Sequence, residues 1–162
     1  MSANNREHHS GNNKKLAVFY DHPEWFKPMF AELDRRGIQY DRQLAYEHYF
    51  DPVERHSPYA LVVNRMSPSA YLRGHKQAIN YTLQYMAYLK DIGANVLNGY
   101  DAYVYEFSKA RQLTLFEELG VRYPRSLVIN HPSQALRAAR GDRKSTRLNS
   151  SHMSESRMPS SA

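Results

Sequence analysis

Two runs of consecutive large apolar residues, LAVFY at Leu16–Tyr20 and YALVVN at residues 59–64, constrain this chain more than any other feature of its sequence. Each is too short to be a buried helix, and neither alternates with polar residues. Such runs read as strands covered on both faces, the pattern of a parallel sheet. The intervening residues agree. Trp25, Phe26, Met29, Phe30 and Leu33 recur at helical spacing and predict an amphipathic helix with Asp21 as N-cap and Pro23 near its first position. Gly37 ends that helix as its C′ residue. Residues 38–42 follow as a second, more polar strand. Strand, helix, glycine, strand is a βαβ unit, with a right-handed crossover expected.

The rest of the chain repeats this grammar. Residues 74–92 predict a long helix whose inward arc is Ala78, Ile79, Thr82, Leu83, Tyr85, Met86 and Leu89, closed by Gly93. A short strand is expected at 95–97, a turn at Asn98-Gly99 and a helical segment at 100–107. In residues 106–130, EFSKARQLTLFEELGVRYPRSLVIN, Ser108 caps a helix with Leu113, Leu115, Phe116 and Leu119 on one arc. Gly120 stops that helix, Pro124 prevents its continuation, a strand is expected at 126–129, and a last helix at 132–140. The fold class is α/β, with a Rossmann-like parallel sheet and flanking helices.

Two basic residues stand where structure alone does not require them. Arg65 directly follows the second apolar strand, at the carboxyl end where open parallel sheets bind ligands. Its guanidinium suits a carboxylate or phosphate, and an exposed loop arginine is the equal alternative. Lys109 falls inside the apolar arc in the first turn of its helix. There it faces the positive end of the helix dipole, which costs about 0.3–1 kcal/mol. A bound anion would remove the conflict, and a stem that packs while its amine reaches water is the other reading. The aromatic residues of 43–59 (Tyr46, His48, Tyr49, Phe50, His56, Tyr59) read as cover for the sheet in preference to a ligand wall. Tyr81 and Tyr88 read as packing at a helix margin, because no adjacent stripe of Lys and Arg accompanies them.

Composition excludes several classes of function. There is no cysteine, so disulfides and thiol catalysis are absent and a reducing compartment fits. No run of about 18 apolar residues occurs, so no membrane span is expected. Residues 1–15 are polar, lack an apolar signal region and predict a disordered tail, in which His8 and His9 read as solvated rather than metal-bound. A cytoplasmic location is the expectation. The formal charge of +6 overstates the basic character. Residues 142–162, DRKSTRLNSSHMSESRMPSSA, resemble a translated sequencing adapter and are set aside as an artefactual, disordered tail. They hold four of the 22 Lys and Arg and two of the 16 Asp and Glu, which leaves residues 1–141 at a net +4. That balance does not call for nucleic acid. The native frame is expected to have been cut near Gly141.

Familiar catalytic motifs are missing from the sequence: no GxGxxG, no GxxxxGK[ST], no HExxH and no nucleophile elbow. The order Asn98-Gly99, Ser108-Lys109, Gly120, Pro124 nevertheless resembles the junction in ATP-grasp ligases between the Rossmann-like domain and the nucleotide-binding domain. VVNRMSPS, residues 62–69, is similar to the strand and arginine loop of the branch that includes ribosomal-protein glutamate ligases and glutathione synthases. The resemblance covers roughly residues 16–141. It implies a pre-ATP-grasp domain at 16–106 and the start of an ATP-grasp domain at 107–141. It also implies an ATP-dependent carboxylate–amine ligase that forms an acyl phosphate, which an amine then attacks, with ATP and Mg²⁺ as cofactors. On this resemblance Lys109 meets an ATP phosphate, while Arg65 and Ser67 lie on the substrate side. The partners would be small-molecule or peptide carboxylates and amines, without nucleic acid or membrane, and a homo-oligomer is left open. The family's second phosphate lysine, glycine-rich flap and magnesium carboxylates lie downstream of this region. The chain as it stands is therefore expected to be inactive. The alternative is a stand-alone flavodoxin-like module that binds or regulates without catalysis.

Overall fold

A computed structural model describes residues 15–140; the expected tails at 1–15, save Lys15, and at 142–162 lie outside them. Four strands, β1 (Leu16–Tyr20), β2 (Tyr40–Leu44), β3 (Leu61–Arg65) and β4 (Val96–Leu97), form one sheet in the order β2-β1-β3-β4. Every pair is parallel, with Leu16 opposite both Tyr40 and Leu61. The helices are α1 (Lys27–Arg35), α2 (Lys76–Asp91), α3 (Tyr100–Phe107), α4 (Lys109–Glu118) and α5 (Ala135–Arg140). This is an α/β arrangement consistent with a Rossmann-like fold.

Alternation along β1 shows why both apolar runs are central. Ala17 and Phe19 join the core made with α2, Val62 and Tyr103, whereas Val18 and Tyr20 pack with Phe30 of α1. The two faces are thus fed by alternate residues of one strand. All five residues of β1 except Leu16 are buried. Inside α2, Thr82 is fully buried and its hydroxyl donates to the Ala78 carbonyl at 2.6 Å. The buried Tyr103 hydroxyl donates to the Ile79 carbonyl at 3.2 Å and so ties α3 to α2.

Element boundaries differ from the sequence expectation where capping takes residues away from a neighbour. The second strand begins at Tyr40 rather than at residue 38, because Ile38 is used to end α1. Gly37 adopts φ +65°, and the Ile38 amide donates to the Leu33 carbonyl at 3.0 Å, completing the helix stop. The long helix begins at Lys76, since Pro68–Arg73 forms a separate 3-10 segment that ends at Gly74 with φ +83°.

The expected strand at 126–129 is not a strand. Leu127, Val128 and Ile129 are 59%, 73% and 39% exposed and pair with nothing in the sheet. An apolar run becomes a strand only when it pairs with a neighbouring edge, and residues 126–129 pair with neither edge strand, β2 or β4. The arc expected on α4 also lacks a full partner: none of its residues is buried, and Leu113 and Leu115 are only half-buried. Ser108 does cap α4, accepting from the Arg111 amide at 3.3 Å.

Truncating Phe19 should therefore cost about 3–5 kcal/mol in denaturant unfolding, the range for a large buried aromatic residue. Leu127→Asp should stay within about 0.5 kcal/mol, as for other exposed sites. A comparable loss at both positions would show that residues 126–129 contribute to the core.

Candidate functional site

β1 and β3 lie side by side, with Tyr20 opposite Arg65. Beyond Tyr20 the chain turns toward α1, and beyond Arg65 toward the 3-10 segment and α2, which cover opposite faces. The carboxyl ends of β1 and β3 are consequently the switch point of the sheet, where diverging connections leave a crevice. A cleft of about 230 Å³ opens there, walled by Asp21, Trp25 and Phe26 on one side and by Arg65, Ser67 and Glu106 on the other.

Asp21, expected as a helix cap, is instead a buried anchor, 2% exposed. Arg73 Nε donates to its Oδ2 at 2.5 Å, with Arg73 Nη2 on the same oxygen. The Nδ1 of His75 is 2.6 Å from Oδ1. Tyr46 lies over the His75 ring, centroids 3.9 Å apart. The Arg73 guanidinium also reaches the Ser69 hydroxyl at 3.4 Å and lies 5.5 Å from the Trp25 ring centroid. Trp25 was expected on the inner arc of α1; it is 64% exposed and stacks on His22 at 4.2 Å. With His22 on the ring and Arg73 beside it, the indole is a wall of the cleft rather than part of the core. On the floor, Asn64 is 3% exposed. Its amide donates to the Asn98 carbonyl at 2.9 Å, and its oxygen accepts from the Met66 amide at 3.0 Å. Asn98 returns a bond to the Asn64 carbonyl at 3.3 Å and takes φ +55°, a left-handed conformation that asparagine tolerates.

Among these groups, two charges are not committed. Arg65 is exposed, 5.6 Å from the Phe26 ring centroid, and has no hydrogen bond or ion pair among the described residues. Glu106, in the last turn of α3, likewise has no hydrogen bond or ion pair among them. Partial withdrawal from water raises the pKa of its carboxyl, and the positive charges of Arg65 and Lys109 pull it back. Ser67 lines the cleft, and its hydroxyl is spent on the 3-10 segment. It accepts from the Ser69 amide at 3.3 Å and shares a 2.9 Å bond with the Ser69 hydroxyl. Lys109 does not line the cleft. It is exposed at the start of α4, its amine donating to Gln112 Oε1 at 2.9 Å. The structure thus brings Arg65 and Ser67 together, leaves Lys109 outside the wall, and adds Asp21, Arg73 and Glu106.

A wider, open depression lies along β2, lined by Asp34 and residues 38–42. Its charges are already satisfied: Asp41 by Lys15, Asp34 by the Tyr40 hydroxyl, and Arg42 by that same hydroxyl and the Phe30 ring. Charge available to a ligand therefore lies at the switch point. Among the described residues no cluster of three or more His, Asp or Glu is placed to hold a metal ion. No helix among them is long and apolar enough to cross a membrane. No protein-family model and no curated protein matches the chain.

Breaking the anchor tests its role. Arg73→Met leaves the Asp21 carboxylate buried without its guanidinium and should cost about 3–5 kcal/mol, the usual penalty for an orphaned buried charge. Arg65→Met should leave stability within about 0.5 kcal/mol. Equal effects of the two changes on the denaturation midpoint would contradict this division of labour.

Proposed function

We propose that the switch-point cleft binds the carboxylate of a small-molecule or peptide substrate through Arg65, and that the chain is the substrate-side portion of an ATP-dependent carboxylate–amine ligase. One observation carries the reading: Arg65 is a guanidinium without an ion-pair partner among the described residues, at the carboxyl end of a central parallel strand. A carboxylate ligand would meet it in bidentate fashion. Glu106, equally uncommitted, is the complementary group for a cationic end of the same ligand. Ser67 shapes the wall through the 3-10 segment.

On the ligase reading Lys109 holds an ATP phosphate. Its position supports this in one respect, since the amine is exposed and close enough to Glu106 and the cleft mouth to be felt electrostatically. Mg²⁺ would come with ATP and screen its phosphates, and the described residues offer no carboxylate cluster of their own for it. A pre-ATP-grasp domain at 16–106 and the beginning of an ATP-grasp domain at 107–141 belong to the same proposal. A second reading, a flavodoxin-like module that binds without catalysis, is favoured by a different observation: the cleft is walled entirely by residues 21–106.

Calorimetric titration of the chain with L-glutamate as the probe carboxylate tests the cleft, and titration with ATP and Mg²⁺ of a protein that also carries the downstream part of the nucleotide-binding domain distinguishes the two readings. Glutamate should bind, and Arg65→Met should weaken it by about 10- to 100-fold, the worth of one charge-assisted pair. ATP binding on the ligase reading also needs the second lysine and the flap that lie downstream, so Lys109→Met should weaken ATP binding by about tenfold or more in a protein that carries them. Glutamate binding without any ATP binding in that longer protein would leave the module. Glutamate binding unaffected by Arg65→Met would overturn the assignment of the cleft.

A further inference from the structure

The connection from β2 to β3 must pass over β1, because the strand order places β1 between them. Crossovers of this kind are usually helical. Here residues 45–60 make the passage without helix or strand, on the α2 face of the sheet. Aromatic side chains pin the segment down. His48 meets Phe19 edge-on at 5.3 Å and lies 4.4 Å from Tyr85, with its Nδ1 2.7 Å from the Tyr81 hydroxyl oxygen. Phe50 stacks on Tyr88 at 4.7 Å, and the Tyr88 hydroxyl donates to the Glu54 carbonyl at 3.1 Å. At the near end Tyr46 covers His75, the same histidine that holds Asp21 beside the cleft.

We propose that residues 45–60 are a strap that acid releases: protonation of His48 frees the segment from α2 while the sheet stays folded, and its departure lifts Tyr46 from His75 and loosens the Asp21–Arg73 wall. The groups that face the imidazole explain why. From α2 they are Tyr81 and Tyr85, whose hydroxyls burial keeps neutral, Tyr81 being pushed up to about 12. From β1 it meets only the Phe19 ring. Within the strap its neighbour Glu47 is exposed. An imidazolium would thus sit among rings with no facing carboxylate, a costly place for a charge. Burial accordingly lowers the His48 pKa from 6.5 to about 4. The released imidazole takes up its proton first as pH falls. The docked strap therefore loses stability from about pH 6.5 downward and loses no more below about pH 4. Across that window docking weakens by at most about 300-fold.

Hydrogen exchange on the chain between pH 7 and 4.5, corrected for intrinsic rates, provides the test. Amides inside the strap, including Glu47 bonded to the Leu44 carbonyl and Glu54 bonded to the Asp51 carbonyl, should lose protection by about tenfold or more, while those of β1 and β3 hold. Loss that is simultaneous in strap and sheet, or absent from the strap, overturns the proposal. His48→Phe keeps a ring in place without a titrating nitrogen and should leave the strap docked at pH 4.5; release at the wild-type pH would refute the role of His48. Direct observation of the His48 ring by NMR serves where that variant does not fold. A midpoint between 6.5 and about 4 that coincides with the loss of strap protection is expected; one at 6.5, or one reached while the strap amides stay protected, contradicts the proposal.

Discussion

Everything that gives this chain a site depends on the parallel pairing of β1 with β3. Register along that pair sets Tyr20 opposite Arg65, so the residues that follow both strands emerge together. Connections then diverge to α1 on one face and α2 on the other, and the sheet cannot close over its own carboxyl end. The crevice is a consequence of topology. Side chains decide only what chemistry fills it.

They fill it with charges of two kinds. Asp21, Arg73 and His75 are mutually satisfied around a carboxylate that is 2% exposed. An ion pair of this depth is a weak source of net stability but a strong specifier of geometry, since any arrangement that breaks it strands a charge. It ties the end of β1 to the segment after β3 and steadies the Trp25 wall. Arg65 and Glu106 are the other kind, placed at the same cleft and left without hydrogen-bonded partners among the described residues. Separating structural from available charge in this way is what singles the cleft out from the depression beside β2, where each charge already has a neighbour.

Much of the sheet was legible in the sequence because burial on two faces leaves an unmistakable run of apolar residues. Leu16–Tyr20 and the run ending at Asn64 needed no tertiary information. The run at 126–129 shows the limit of that logic: the same composition gives no strand where it pairs with no edge. The position of Arg65 and Ser67 at the cleft was legible because they directly follow a readable strand. Asp21 directly follows one too, but the helix behind it offered a local explanation as a cap, and the partners that overruled it are 52 and 54 residues away. Arg73 and Glu106 carried no local signal at all, since their importance arises only when α3 and the 3-10 segment fold against the strand ends. Trp25 followed the helical period, yet the 3-10 start of that helix turned it outward.

The central claim is that ligand chemistry resides at the paired ends of β1 and β3. Its most direct test is a backbone NMR titration of the chain with L-glutamate, following every amide at once. Shifts concentrated at Asp21, His22, Arg65, Ser67 and Asn98 are predicted, with little change along β2 and α4. Shifts centred on residues 38–42, or spread evenly over the surface, would contradict it.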